Sequence, residues 1–151
     1  MAGGTVRRAI ARPYSSMSGF ESTRLSHCPD TIAPDGSEVR ALLRLKGGSM
    51  AQFTLPAGQT SVPAAHRTVE EIWFFTAGRG EMWRQLGEQE EIVAVGPGVC
   101  ITIPVGTRFQ FRSLGDEPLV AIGVTMPPWP GPGETLDVAG PWVPTVARGT
   151  G

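Results

Sequence analysis

A chain of 151 residues with 13 Lys and Arg, 14 Asp and Glu and a formal charge of −1 is long enough for one domain with a buried core. Its near-neutral balance gives no electrostatic reason to bind nucleic acid or an anionic membrane. With 20 Gly and 14 Pro but no apolar run of the roughly 18–20 residues a membrane-spanning helix needs, it reads as a β protein with many tight turns.

The first sixteen residues, MAGGTVRRAIARPYSS, carry three arginines and no acid. They resemble a short transit segment whose helical face is broken by Pro13, or the extension of a chain that starts at Met17, and loose docking is expected. The two cysteines, Cys28 and Cys100, are too few for a disulfide scaffold, and no signal peptide with an apolar core precedes them. A reducing cytoplasm with free thiols is the expectation, with Cys100 a buried, inert thiol inside VCITI.

From residue 34 onward, strand-like segments alternate with turns. PDGS (34–37) is a turn, and EVRALLRL (38–45) and SMAQFTL (49–55) form an antiparallel pair across KGG. SVPAAH (61–66) is a weak strand, tolerable at an edge because of Pro63. EEIWFFT (70–76) is the strongest strand signal, followed by EMWRQL (81–86) and EEIVAV (90–95) around the turn GEQ. VCITI (99–103), RFQFRS (108–113) and LVAIGVTM (119–126) complete the series. EEIVAV and VCITI have the unbroken apolar character of strands covered on both faces. The tail from Pro127 is too rich in Pro for sheet or helix, and Trp129 and Trp142 would anchor it across the domain.

Eight or nine short, regularly spaced strands with no amphipathic helix predict an all-β sandwich or barrel. The expected organisation is an N-terminal arm (1–33), a barrel (34–127) and a packed Pro/Gly-rich tail (128–151).

Two segments carry a more specific signal. Gly58, Ala64, His66, Glu71 and Gly78 fall at the five places of the pattern G-x5-H-x-H-x4-E-x6-G. Gly98, Pro104, Gly106, Phe109 and Ser113 fall at those of G-x5-P-x-G-x2-H-x3-N. In glycines, proline and spacing the chain resembles the cupins. That resemblance implies a double-stranded β-helix, the cupin jelly-roll barrel, with few or no helices and its site inside. Alternation places Ala64, His66, Glu71, Trp73, Phe75, Phe109 and Phe111 toward the interior and Ile72, Phe74 and Gln110 away from it.

In metal-binding cupins three histidines and the glutamate hold one divalent ion. Here Ala64 and Phe109 stand at two of the histidine places, and the whole chain has two histidines. His66 and Glu71 alone would leave an ion mostly water-ligated and weakly held, so no metal or other cofactor is expected to bind tightly. Unless paired, a carboxylate beside Trp73, Phe75, Phe109 and Phe111 would be costly. A His66–Glu71 hydrogen bond relieves that cost and equips the pocket for acid–base chemistry, His66 moving the proton and Glu71 orienting it.

The leading expectation is a small-molecule-binding cupin with an aromatic-lined pocket and a metal-independent catalytic pair, His66 and Glu71, of the isomerase, epimerase or cyclase kind. Two alternatives stay open. One is a metal-dependent dioxygenase or isomerase that recruits His27 or a cysteine to the divalent ion. The other is a non-catalytic ligand sensor or dimerising scaffold. The arginines near the motifs (Arg67, Arg79, Arg84, Arg108, Arg112) suit a solvated rim. The resemblance also implies a homodimer, while the charge balance and the lack of a long apolar run predict neither nucleic acid nor membrane as partner.

Overall fold

The computed structural model describes residues 19–151; the expectations for residues 1–16 fall outside the described part. Eleven strands follow in chain order: β1 (Thr31–Ile32), β2 (Glu38–Leu45), β3 (Gly48–Leu55), β4 (Ala64–His66), β5 (Glu70–Ala77), β6 (Gly80–Leu86), β7 (Gln89–Val95), β8 (Cys100–Ile103), β9 (Arg108–Ser113), β10 (Leu119–Met126) and β11 (Thr135–Asp137). Two antiparallel sheets face each other, one of six strands in the order β1-β2-β3-β10-β5-β8 and one of five in the order β11-β4-β9-β6-β7. No helix among the described residues is long and apolar enough to cross a membrane.

The sheets close because each strand presents one apolar face. Along β5, Glu71, Trp73 and Phe75 are buried, while Ile72 and Phe74 between them are 43% and 46% exposed. Leu119 and Ala121 of β10, Ile101 and Ile103 of β8, and Phe109 and Phe111 of β9 point into the same core with Leu55, Met82 and Val95. Such alternation lets a two-layer β structure bury one face and solvate the other.

Gly78 and Gly106 adopt φ of 77° and 78°, which only glycine adopts without strain. At Gly78 a side chain would also run into the backbone of Pro118 and Leu119. The motif glycines are therefore structural hinges of the barrel, independent of any ligand.

Four expectations need correcting. EEIVAV and VCITI, in the edge strands β7 and β8, are not covered on both faces, because among the described residues no second layer packs on the outside of either sheet there. Most of β7 is exposed, and β8 alternates, with Ile101 and Ile103 buried. Cys100 accordingly points outward and is exposed, not buried. The weak strand at 61–66 shrinks to Ala64–His66, since Pro63 cannot donate to a ladder. The tail does enter a sheet: Thr135, Leu136 and Asp137 pair with His66, Ala65 and Ala64.

Gln110 faces away from the interior as expected, yet it is fully buried because the tail covers it. Its Nε2 donates to Ser61 O (2.8 Å) and Trp142 O (2.9 Å), and its Oε1 accepts from Trp142 N at 3.1 Å. Trp142 in turn lies under the Arg112 guanidinium, 4.2 Å from the ring centroid. The tail is thus bolted to the outside of the five-stranded sheet by a buried amide and a cation–π contact.

Candidate functional site

β4 ends at His66 and β5 begins at Glu70, so a three-residue loop joins the strands that carry the two motif residues. That loop is held by the tail. Glu134, 5% exposed, accepts hydrogen bonds from Thr68 N (2.6 Å), Val69 N (2.8 Å) and the Thr68 hydroxyl (2.8 Å to Oε2). Burial alone would raise the Glu134 pKa; these bonds and the charge of His66 outweigh it and hold the carboxyl below its ordinary range.

With the loop fixed, His66 and Glu71 converge. His66 Nε2 lies 3.0 Å from Glu71 Oε2, and both side chains are shielded from solvent, 8% and 2% exposed. On the far side of the ring, Nδ1 meets Thr135 Oγ1 at a long 3.4 Å. Phe109 and Trp129 turn their rings edgewise to the imidazole at centroid distances of 5.3 and 5.1 Å. Burial by itself would lower the His66 pKa. The hydrogen bond and charge of Glu71, with smaller contributions from Asp35 and Glu134, reverse that and leave it raised.

The pair borders a cavity of about 200 Å³ between the sheets. Ala64, His66, Glu71 and Trp73 line it as the motif parity implies, but Phe75, Phe109 and Phe111 do not. Those three fill the core behind the pocket, a correction to the expected lining. Their places are taken by Phe53, Thr125, Trp129 and Thr135, among others. Phe53 stacks on Trp73 at 4.8 Å, and Gly123 opposite leaves room for both rings. The Trp73 indole nitrogen has no hydrogen-bond partner among the described residues.

Asp35 was legible only as a turn residue. It sits in the predicted turn, yet it is 6% exposed and lines the cavity. Its Oδ1 accepts from Ser37 N at 2.9 Å and from the Ser37 hydroxyl at 2.6 Å. Burial raises its pKa above the ordinary carboxylate value; the Ser37 bonds offset this only in part, and the nearby Glu71 charge adds to it. Trp129, Glu134 and Thr135 were likewise unforeseen as site residues, because a Pro-rich tail gives no sign of where it docks.

A metal of the kind the motifs imply does not fit this donor set. Ala64 and Phe109 are buried apolar groups where ligands would stand, and His66 Nε2 is engaged by Glu71. Among the described residues no group of three or more His, Cys, Asp or Glu is arranged to hold an ion. His27, Cys28 and Cys100 are exposed, and none of them lines the cavity.

Two facing antiparallel sheets, with Ala64, His66 and Glu71 meeting at a cavity between them, define a double-stranded β-helix protein. Residues 51–125 match the family model of the cupin domain. The uncharacterized protein MJ1618 of Methanocaldococcus jannaschii is 33% identical over 103 residues, covering 65% of this chain and 79% of that protein. The chain belongs to the cupin superfamily.

Among solved structures, the capsular polysaccharide assembling protein CapF of Staphylococcus aureus is similar with a TM-score of 0.60 and 19% identity, over 79% of this chain and 35% of that one. The chain therefore spans about a third of CapF. The Drosophila melanogaster CENP-C cupin domain has a TM-score of 0.56 at 14% identity, covering 63% of this chain and 68% of that one. A Klebsiella pneumoniae protein with a double-stranded β-helix domain has a TM-score of 0.53 at 16% identity, covering 69% and 82%. At these identities the likenesses carry the fold alone.

Proposed function

We propose that this cupin binds a small organic molecule in the cavity beside His66 and Glu71, and that the pair moves a proton on it without a metal. The observation that carries the reading is the 3.0 Å contact between two buried titratable groups at the wall of a cavity. Such a pair needs a reason to persist in an apolar interior, since isolated apolar packing would be cheaper.

The chemistry follows from the hydrogen bonds. Nε2–H donates to the Glu71 carboxylate, which orients the ring and stabilises its protonated form. Nδ1, held only by the long Thr135 contact, is the nitrogen available to exchange a proton with a bound molecule. Size supports a compact ligand: a cavity of about 150 Å³ accepts benzene, so about 200 Å³ suits a single substituted ring.

The test is a panel of small monocyclic compounds bearing acidic C–H bonds, incubated with the full chain in D2O and a chelator. Proton–deuteron exchange that disappears in His66→Ala supports the reading. Exchange that survives the substitution, or that chelation alone abolishes, contradicts it. Binding without exchange of any compound would favour a sensor over an enzyme.

We carry the homodimer as part of the same proposal. The outward residues Ile72, Phe74 and Met50 of the six-stranded sheet offer exposed apolar surface to a second copy. Sedimentation at the monomer mass of 16.0 kDa would remove it.

A further inference from the structure

The cavity has an unbalanced charge inventory. Among the described residues three acidic side chains, Asp30, Asp35 and Glu71, line it against one basic group, His66, with no Lys or Arg. His66 is committed to Glu71 at 3.0 Å, so their charges are largely spent on each other. Asp35 has no such partner.

Both Ser37 hydrogen bonds fall on Asp35 Oδ1, and Oδ2 receives none from the described residues. Asp35 is only 6% exposed and lines the cavity, so a donor bound there could serve Oδ2 in place of solvent. Aromatic surface lines the same cavity: the stacked Phe53–Trp73 pair forms part of its wall, and Trp129 stands beside His66. Aromatic faces attract cations and repel anions, more strongly once water is excluded.

Resting on the small-molecule reading above, we propose that the ligand is a small monocyclic organic cation, its ammonium group bound to Asp35 and its ring against the Phe53, Trp73 and Trp129 surface. The ammonium N–H would donate to Oδ2, and no Lys or Arg among the described residues lines the cavity to hold an organic anion in its place. A carboxylate or phosphate ligand would meet Asp35 and Glu71 as like charges in a low-dielectric site. The upward pressure of burial on the Asp35 carboxyl is consistent with a group that awaits a cationic partner.

Three ring compounds of matched size and different charge test this: benzylamine, benzyl alcohol and benzoate. Each is titrated calorimetrically into the full chain near neutral pH with a chelator present. Benzylamine should bind about tenfold tighter than benzyl alcohol, the worth of one charge-assisted hydrogen bond, and benzoate should bind weakest. In Asp35→Asn, benzylamine should fall to the level of the alcohol while the alcohol is unchanged. Should that variant not fold, the carboxyl carbon resonance of Asp35 in the unaltered chain should shift on addition of benzylamine and not of benzyl alcohol.

Benzylamine no tighter than the alcohol, or benzoate tightest, overturns the charge assignment and leaves the cavity reading standing. Benzylamine affinity unchanged in Asp35→Asn, or an Asp35 resonance indifferent to the amine, overturns the role of Asp35. If none of the three binds, the small-molecule reading fails and this inference with it.

Discussion

Removing either member of the His66–Glu71 pair should expose how strongly the two are coupled. Both are almost fully shielded, and their 3.0 Å contact is the only hydrogen bond Glu71 makes through its side chain among the described residues. His66→Ala leaves a buried carboxylate without a counter-charge, which costs about 3–5 kcal/mol. Glu71→Ala leaves an imidazole that can become neutral, so its cost is smaller, about 1–3 kcal/mol. The double variant removes both charges and should be more stable than the sum of the two losses by about 2 kcal/mol, the worth of a buried charge-assisted hydrogen bond.

The coupling should also depend on pH. The folded-state pKa of His66 lies above the ordinary imidazole value of 6.5, so the protonated form is favoured in the folded chain. The stabilisation is therefore full below 6.5 and is lost as pH rises through the raised folded value. Urea unfolding of the four proteins at about pH 6 and about pH 8.5 measures both effects. Single losses that add to within about 0.5 kcal/mol, or a coupling that grows toward alkaline pH, would refute the pairing.

Three further substitutions probe the surroundings. At Gly123 an added methyl would stand 2.5 Å from Phe53 Cε2 and 3.1 Å from Trp73 Nε1. Gly123→Ala should therefore cost about 1–3 kcal/mol by overpacking, read as a lowered melting temperature; an unchanged one would mean the stack has slack. Gln110→Ala deletes three hydrogen bonds and strands the buried carbonyl of Ser61, so about 2–4 kcal/mol should be lost and the tail near Trp142 should become sensitive to limited proteolysis. Equal protease resistance would show that the tail is held by other contacts. Asp35 has a raised folded-state pKa, so its ionisation weakens the fold as pH rises from the ordinary 3.8 through the folded value. Asp35→Asn should accordingly be at least as stable as the parent at neutral pH and lose that advantage on acidification, which thermal melts across the range would check.

Much of the barrel could be read from the chain because its strands alternate. EEIWFFT announces which face is inside, and the structure puts β5 at 70–77 with that parity. RFQFRS and LVAIGVTM coincide with β9 and β10 to the residue. The motif glycines were legible for a related reason: a left-handed backbone demands glycine wherever it occurs. What covers a sheet's outer face leaves no comparable mark, so the apolar runs of β7 and β8 suggested burial that only a further packed layer could have supplied.

The site was legible only where it is local. His66 and Glu71 lie five residues apart and their pairing followed from parity and the cost of a buried carboxylate. Glu134 reaches Thr68 across 66 residues, and Thr135 reaches His66 across 69. Contacts at such separations are set by how the tail docks, and a three-residue strand among prolines and glycines has no periodicity to betray it. Asp35 was hidden differently: Asp in a turn ordinarily faces water, and nothing local shows that the β1–β2 turn tucks under the cavity.

The central claim is that the cavity next to His66 and Glu71 takes a small organic ring without help from a metal. Benzyl alcohol, being uncharged, tests this apart from any role of Asp35. In chelator-treated, isotope-labelled protein it should give intermolecular NOEs to the side chains of Phe53, Trp73 and Trp129. NOEs confined to residues outside the cavity, or contacts that appear only after a divalent metal is added, would contradict the claim.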